Sequence, residues 1–146
     1  MELSEVGGEL RRYGDGDVVF EEGETGHYLY IVVSGRVRIK KEGELFATVL
    51  AECGPGDMFG ELSMIDNRPH SASAIAEGET ELAVYDRETF VRALKEDPDF
   101  ALRMIESLAE RLRATTEQLQ NVCTQYVRDR TEMALIQKAV LEGELS

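Results

Sequence analysis

The chain has 146 residues, 42% of them hydrophobic, a length that suits one domain with its own core and leaves no room for two substantial ones. Its 29 acidic residues outnumber its 16 basic ones, and the net charge of -13 opposes binding to nucleic acid or to an anionic membrane surface, since no basic patch interrupts it. The two cysteines, Cys53 and Cys123, have no paired spacing, so neither a disulfide framework nor a zinc site is expected, and a reduced, cytoplasmic protein is predicted.

The amino-terminal MELSEVGG has no positively charged start and no long apolar run, so no signal peptide and no membrane span are expected there. From Glu9 to about Tyr85, short β-branched and aromatic runs alternate with glycine-bearing segments. Strands are predicted at 18–20, 28–33, 37–40, 45–50, 73–76 and 81–85. Turns are predicted at Gly14-Asp15-Gly16, Glu22-Gly23-Glu24, Ser34-Gly35, Glu42-Gly43 and Gly54-Pro55-Gly56-Asp57. Strands of about five residues at this spacing predict an antiparallel sandwich or roll. Gly14-Asp15-Gly16 opens no helix, so it is a turn and not a phosphate loop.

After Asp86 the glycines vanish until Gly143 and the period becomes helical. A short helix is predicted over 87–95, and Asp97-Pro98 makes a credible start for a second. Along it Ile105, Leu108, Leu112, Thr115, Leu119, Val122, Tyr126, Asp129, Met133, Ile136 and Val140 alternate steps of three and four, a heptad seam. A helix of about forty residues is roughly 60 Å long, whereas a domain of about a hundred residues has a radius of gyration near 13 Å. Its first turns can rest on their own β-unit; the distal apolar residues need another chain. A parallel homodimer through residues 105–140 is the expectation, with small flanking residues Ala109, Thr116 and Cys123 allowing close packing. Asp129, between Arg128 and Arg130, marks a weak point where the helix could bend, splay or end.

The segment between the predicted strands 45–50 and 73–76 carries the chemistry. The turn Gly60-Glu61-Leu62-Ser63 offers unpartnered backbone N–H groups at the start of a short helix, which suits a phosphate. Gly60 permits close approach, and Glu61 can accept from a ribose hydroxyl. Phe59-Gly60-Glu61-Leu62 alone is a common β-turn-helix tetrapeptide. Joined to Pro55-Gly56-Asp57 upstream and Pro69-His70-Ser71-Ala72 downstream, the stretch FGELSMIDNRPHSASA, Phe59 to Ala74, resembles the phosphate-binding cassette of the cyclic-nucleotide-binding domain family. That family includes the catabolite activator protein, the regulatory subunits of cyclic-nucleotide-dependent kinases and cyclic-nucleotide-gated channels. The resemblance covers about residues 10 to 122.

It implies a mainly β domain, an antiparallel β-roll (double-stranded β-helix or jelly roll) with a short helix, over 1–96, followed by a long dimerisation helix over 97–146. It implies ligand contacts from Phe59, Gly60, Glu61, Leu62, Ser63, Arg68, His70, Ser71, Thr115 and Thr116, with Glu61 on the ribose and the ligand lying between roll and helix. The ligand expected is cyclic AMP, with cyclic GMP as the other candidate. Leu112 to Glu117 resembles the activator's central-helix segment, whose hydroxyl pair meets the adenine; a threonine merely tolerated in a heptad is the plain alternative for Thr115 and Thr116.

His70 departs from the family, which usually has an arginine there. A neutral imidazole offers one donor where a guanidinium offers two and a permanent charge. The lost charge-assisted bond is worth about 1.5 to 3 kcal/mol, roughly ten- to a hundredfold in affinity. Three readings compete: His70 binds the phosphate partly protonated, Arg68 reaches in instead, or the pocket no longer binds nucleotide.

Catalysis is not expected. His27 and His70 are the only histidines, no HxH spacing exists for a cupin-type metal site, and no Ser-His-Asp or Cys-His set can be assembled. The activator continues into a helix-turn-helix domain, for which the residues up to Ser146 leave no room; a stand-alone sensor reporting to an unknown protein partner, or a fragment, is expected, without DNA binding. The alternative is a ligand-free roll that recruits a partner through its coiled coil.

Overall fold

The structure is a computed structural model that describes residues 7–143. The first six residues of the MELSEVGG segment and residues 144–146 lie outside the described residues. The elements in chain order are β1 (Glu9–Tyr13), β2 (Val18–Phe20), β3 (Tyr28–Glu42), β4 (Ala47–Cys53), β5 (Met58–Phe59), α1 (Glu61–Asp66), β6 (Ser73–Asp86), α2 (Arg87–Glu96) and α3 (Pro98–Leu141).

β3 and β6 pair antiparallel from Tyr28 opposite Asp86 to Lys40 opposite Ser73. The other edge of β6 takes β1 along Thr80 to Val84 and β2 along Ala74 and Ile75. The other edge of β3 takes β5 at Tyr30 and Ile31 and β4 from Val37 to Glu42. The fold is the antiparallel β-roll with trailing helices expected from the sequence.

The predicted runs 28–33 and 37–40 are one strand. Ser34-Gly35, expected as a turn, is an irregularity inside β3 where the register with β6 shifts. Gly35 has φ +85, and a Cβ there would lie 2.3 Å from the Glu79 carbonyl oxygen. Across the kink the Thr80 hydroxyl accepts from the Arg36 N–H at 3.3 Å and donates to the Arg36 carbonyl at 3.1 Å. The runs 73–76 and 81–85 likewise merge into β6, and the strand expected at 45–50 lies at Ala47–Cys53. β1 and β5 escaped the strand pattern: only Leu10 and Tyr13 of β1 are apolar, and β5 has two residues.

Leu29, Tyr30, Ile31 and Val32 are buried in succession, the mark of a strand covered on both faces. Tyr30 and Val32 join Phe20, Val37, Cys53, Phe59, Ala74, Leu82 and Val84 in the core of the roll. On the other side Tyr85 stacks on Phe100 of α3, ring centroids 5.7 Å apart, and α2 packs on β6 and β3 with Phe90 and Ala93 buried. Asp86 caps α2, accepting from the Thr89 N–H at 2.7 Å, and that bond holds its carboxyl below the usual carboxylate range. Asp97 accepts from the Phe100 N–H at 3.1 Å at the start of α3.

The chain forms two compact units, one through Ser107 and one from Leu108. In the first, α3 buries Phe100 and Met104, neither of them on the predicted seam. In the second, Leu112, Leu119, Val122, Tyr126, Met133, Ile136 and Val140 are each more than half exposed. The helix runs through Asp129 and on to Leu141; Asp129 accepts from Gln125 at 2.7 Å, and Arg130 donates to the Tyr126 hydroxyl at 3.1 Å. Among the described residues no helix is long and apolar enough to cross a membrane.

Gly35→Ala tests the kink. A methyl group against the Glu79 carbonyl at positive φ is expected to cost at least about 2 kcal/mol, read as a lower denaturant midpoint with unchanged slope.

Candidate functional site

The chain leaves β5 through Gly60, left-handed at φ 79, and turns at once into α1, whose first turn no side chain caps. A Cβ on Gly60 would stand 3.0 Å from Cδ2 of Tyr30 and 3.2 Å from the Tyr28 carbonyl oxygen. Glycine therefore lets the start of α1 sit directly on β3. Glu61, 2% exposed, Ser63 and Met64 form the buried side of α1, while Leu62 is 64% exposed. Asn67 ends the helix in the left-handed region, and the N–H of the exposed Arg68 donates to the Asp66 carboxylate at 3.1 Å.

The return loop is tied to the turn before β3. The Gly23 N–H donates to the His70 carbonyl and the His70 N–H to the Glu24 carbonyl, both at 2.8 Å, beside a bridge from Thr25 to Pro69. Lys41 donates to the Ser71 carbonyl at 2.9 Å and to Glu22 at 2.8 Å; Ser71 itself is exposed.

The His70 ring, in a residue 7% exposed, lies flat on Phe20 with centroids 3.6 Å apart and planes 5° from parallel. Phe20 in turn contacts Phe59 and Tyr30, and Phe59 stacks on Tyr30 at 5.1 Å. Gly26 faces this wall: a Cβ there would be 2.3 Å from Cβ of Ser63 and 3.0 Å from both Cε1 and Nε2 of His70. Phe59, Gly60, Ser63 and His70 are thus gathered around one buried corner of the roll, and Glu61 is buried on the same short helix. Leu62, Arg68 and Ser71 are on its exposed side. Thr115 and Thr116 belong to the second unit, where their hydroxyls donate to the carbonyls of Arg111 and Leu112 at 2.9 and 2.8 Å.

Phe20, Gly26 and Tyr30 complete the corner and are not among the residues expected from sequence. The end of a predicted strand was the only signal at Phe20, and a glycine just past a predicted turn the only one at Gly26. Burial pushes the His70 imidazole below its ordinary value; Glu24 opposes this and His27 adds to it. The neutral ring therefore dominates at pH 7, with one N–H to give. Burial pushes the Tyr30 phenol up to about 12. Among the described residues no three His, Cys, Asp or Glu side chains gather as a metal site would require.

The family model described as the cyclic nucleotide-binding domain matches residues 10–97. The chain is 36% identical over 133 residues to the cyclic AMP receptor protein of Thermus thermophilus, covering 86% of this chain and 59% of that protein. It is 35% identical over 125 residues to a CRP-like cAMP-activated global transcriptional regulator of Mycobacterium tuberculosis, covering 85% and 56%. It thus spans less than two thirds of the length of either relative. The crystal structure of the Thermus thermophilus catabolite activator protein superposes with a TM-score of 0.70 at 36% identity, over 78% of this chain and 54% of that one.

A histidine harder to protonate in the fold than in the open chain lets the unfolded state bind the extra proton. Its stabilising effect is full above about pH 6.5 and declines as the pH falls below it. The thermal midpoint is expected to drop between pH 7.5 and 5.5, with a smaller drop in His70→Gln, followed by circular dichroism.

Proposed function

As the chain belongs to the cyclic nucleotide-binding domain family, among CRP-like regulators, we propose that it is a cyclic-nucleotide sensor whose ligand is cyclic AMP, with cyclic GMP as the competitor to test against. The observation that carries this reading is the built corner: a left-handed Gly60 leading into α1, a buried Glu61, and a loop that brings His70 to Ser63 across Gly26. The cyclic phosphate meets the backbone of Glu61 and Leu62 with His70 and Ser71, and the ribose meets Glu61. The names of the two relatives favour cyclic AMP. Thr115 and Thr116 are proposed for the base on resemblance alone.

The division of labour follows: a binding roll over 1–96 and a helix over 97–146 that pairs two copies and passes the signal to a protein partner without catalysis or DNA contact. An acidic chain of net charge -13 supports the last point. The ligand acts by contacts that differ between two packings of the protein, since only differential affinity shifts an equilibrium.

Calorimetry with each nucleotide tests the ligand. Saturable heat with cyclic AMP is expected, and His70→Arg is expected to tighten binding about tenfold by restoring a charged, two-pronged donor. No heat at millimolar nucleotide leaves the ligand-free partner module in its place. Sedimentation tests the helix: two chains per particle at tens of micromolar are expected from the exposed seam, and a monomer at that concentration removes the dimer.

A further inference from the structure

Phe20 closes β2, and its register opposite Ala74 of β6 makes its ring part of the core, not of a loop. The imidazole of His70 lies face to face on that ring, and its Cε1–Nε2 edge faces Gly26 with no space for a methyl group between. Both backbone hydrogen-bonding groups of His70 are also engaged, with Gly23 and Glu24. One face, one edge and the main chain of this residue are therefore fixed by the fold.

The charged and titratable groups around the ring oppose one another. From the turn before β3, Glu24 favours the protonated ring and His27 disfavours it. From α1 comes the uncharged Ser63, with Glu61 buried on the same helix; from β3, Lys41 reaches the neighbouring Ser71 carbonyl but is paired with Glu22. Burial of the ring prevails, and it favours the uncharged form. A cyclic phosphate reverses that balance. It is a monoanion, the Lys41 ammonium beside Ser71 is already paired with Glu22, and an imidazolium supplies both a charge and a second donor.

We propose that Phe20 and Gly26 are positioning residues that hold His70 as a neutral imidazole in the free protein, so that a cyclic nucleotide binds together with one proton taken up from solvent onto His70. The proposal rests on the nucleotide reading above and adds a second ligand, the proton, to the same site. The complex retains a proton that the free protein lacks, so affinity rises as the solution is acidified. One linked proton changes the binding constant by at most about tenfold per pH unit.

The test uses the full chain and cyclic AMP. Calorimetry at pH 6, 7 and 8, in two buffers of different ionisation heat, counts protons directly. Uptake approaching one proton and binding at least about tenfold tighter at pH 6 than at pH 8 are expected. His70→Gln is expected to bind more weakly with no uptake, and His27→Gln to keep the uptake. In the free protein, NMR titration of the His70 Cε1 proton is expected to show a midpoint below about 6.5 that moves upward in Phe20→Ala, which opens the covered face of the ring to water. If Phe20→Ala does not fold, Gly26→Ala, which displaces the ring from its buried seat, is read the same way. Equal affinity at pH 6 and 8 without uptake, uptake that survives in His70→Gln, or a midpoint unmoved by either clamp variant overturns the proposal. Absence of heat with cyclic AMP and cyclic GMP overturns the nucleotide reading instead, and the ligand-free NMR titration then decides the clamp by itself.

Discussion

The pairing of β3 with β6 is the constraint on which the rest of the structure depends. A 15-residue and a 14-residue strand pair along their length, with register shifts between Val32 and Arg36, and every other strand of the sheet is an addition to an edge of this pair. The pair cannot remain regular over such a length and still roll. The register shift at Ser34-Gly35 relieves it, and the Thr80 hydroxyl satisfies the main-chain groups of Arg36 that the shift leaves to be paired. Because Tyr30 and Tyr28 lie on β3 before the kink, the start of α1 inherits its position from this ladder through Gly60.

That inheritance bears on how a strongly acidic chain would hold the proposed anion. Its charge of -13 gives a field that repels phosphate at long range. At short range the corner is set by backbone dipoles, by rings from the core and by the buried Glu61 on α1, while the exposed carboxylates act across screened solvent. The Arg11 guanidinium, 4.8 Å above the Tyr28 ring, is paired with Glu9 at 3.1 Å and serves the edge of the roll. His70 is the titratable cation-former that the fold brings to Ser63.

Periodicity and glycine spacing made the order of elements legible, because a two-residue alternation and a three-four alternation are properties of the residues themselves. The break at Asp86 and the start at Asp97-Pro98 coincide with real helix starts for the same reason: a carboxylate that accepts from an N–H three residues on is a local device. Ser34-Gly35 misled, since a positive-φ glycine serves a bulge as readily as a turn, and only the partner strand distinguishes the two. β1 was invisible because its strand character comes from β6 and not from its own residues. In the site, Gly60, Glu61 and His70 stood out through a contiguous motif. Phe20 and Gly26 lie more than thirty positions earlier than the cassette, and their proximity to it is a product of tertiary pairing that no local pattern encodes.

The stack of His70 on Phe20 has an entropic side. An arginine in its place is a long side chain that carries roughly 2 kcal/mol of rotamer freedom, some of which is lost each time a ligand is gripped. The imidazole has lost its freedom already, during folding, against a ring 3.6 Å away. The exchange of arginine for histidine therefore removes a permanent charge and adds preorganisation. The proposed site would meet its ligand with a group that does not have to be ordered, so that less of the binding free energy is spent on immobilising a side chain.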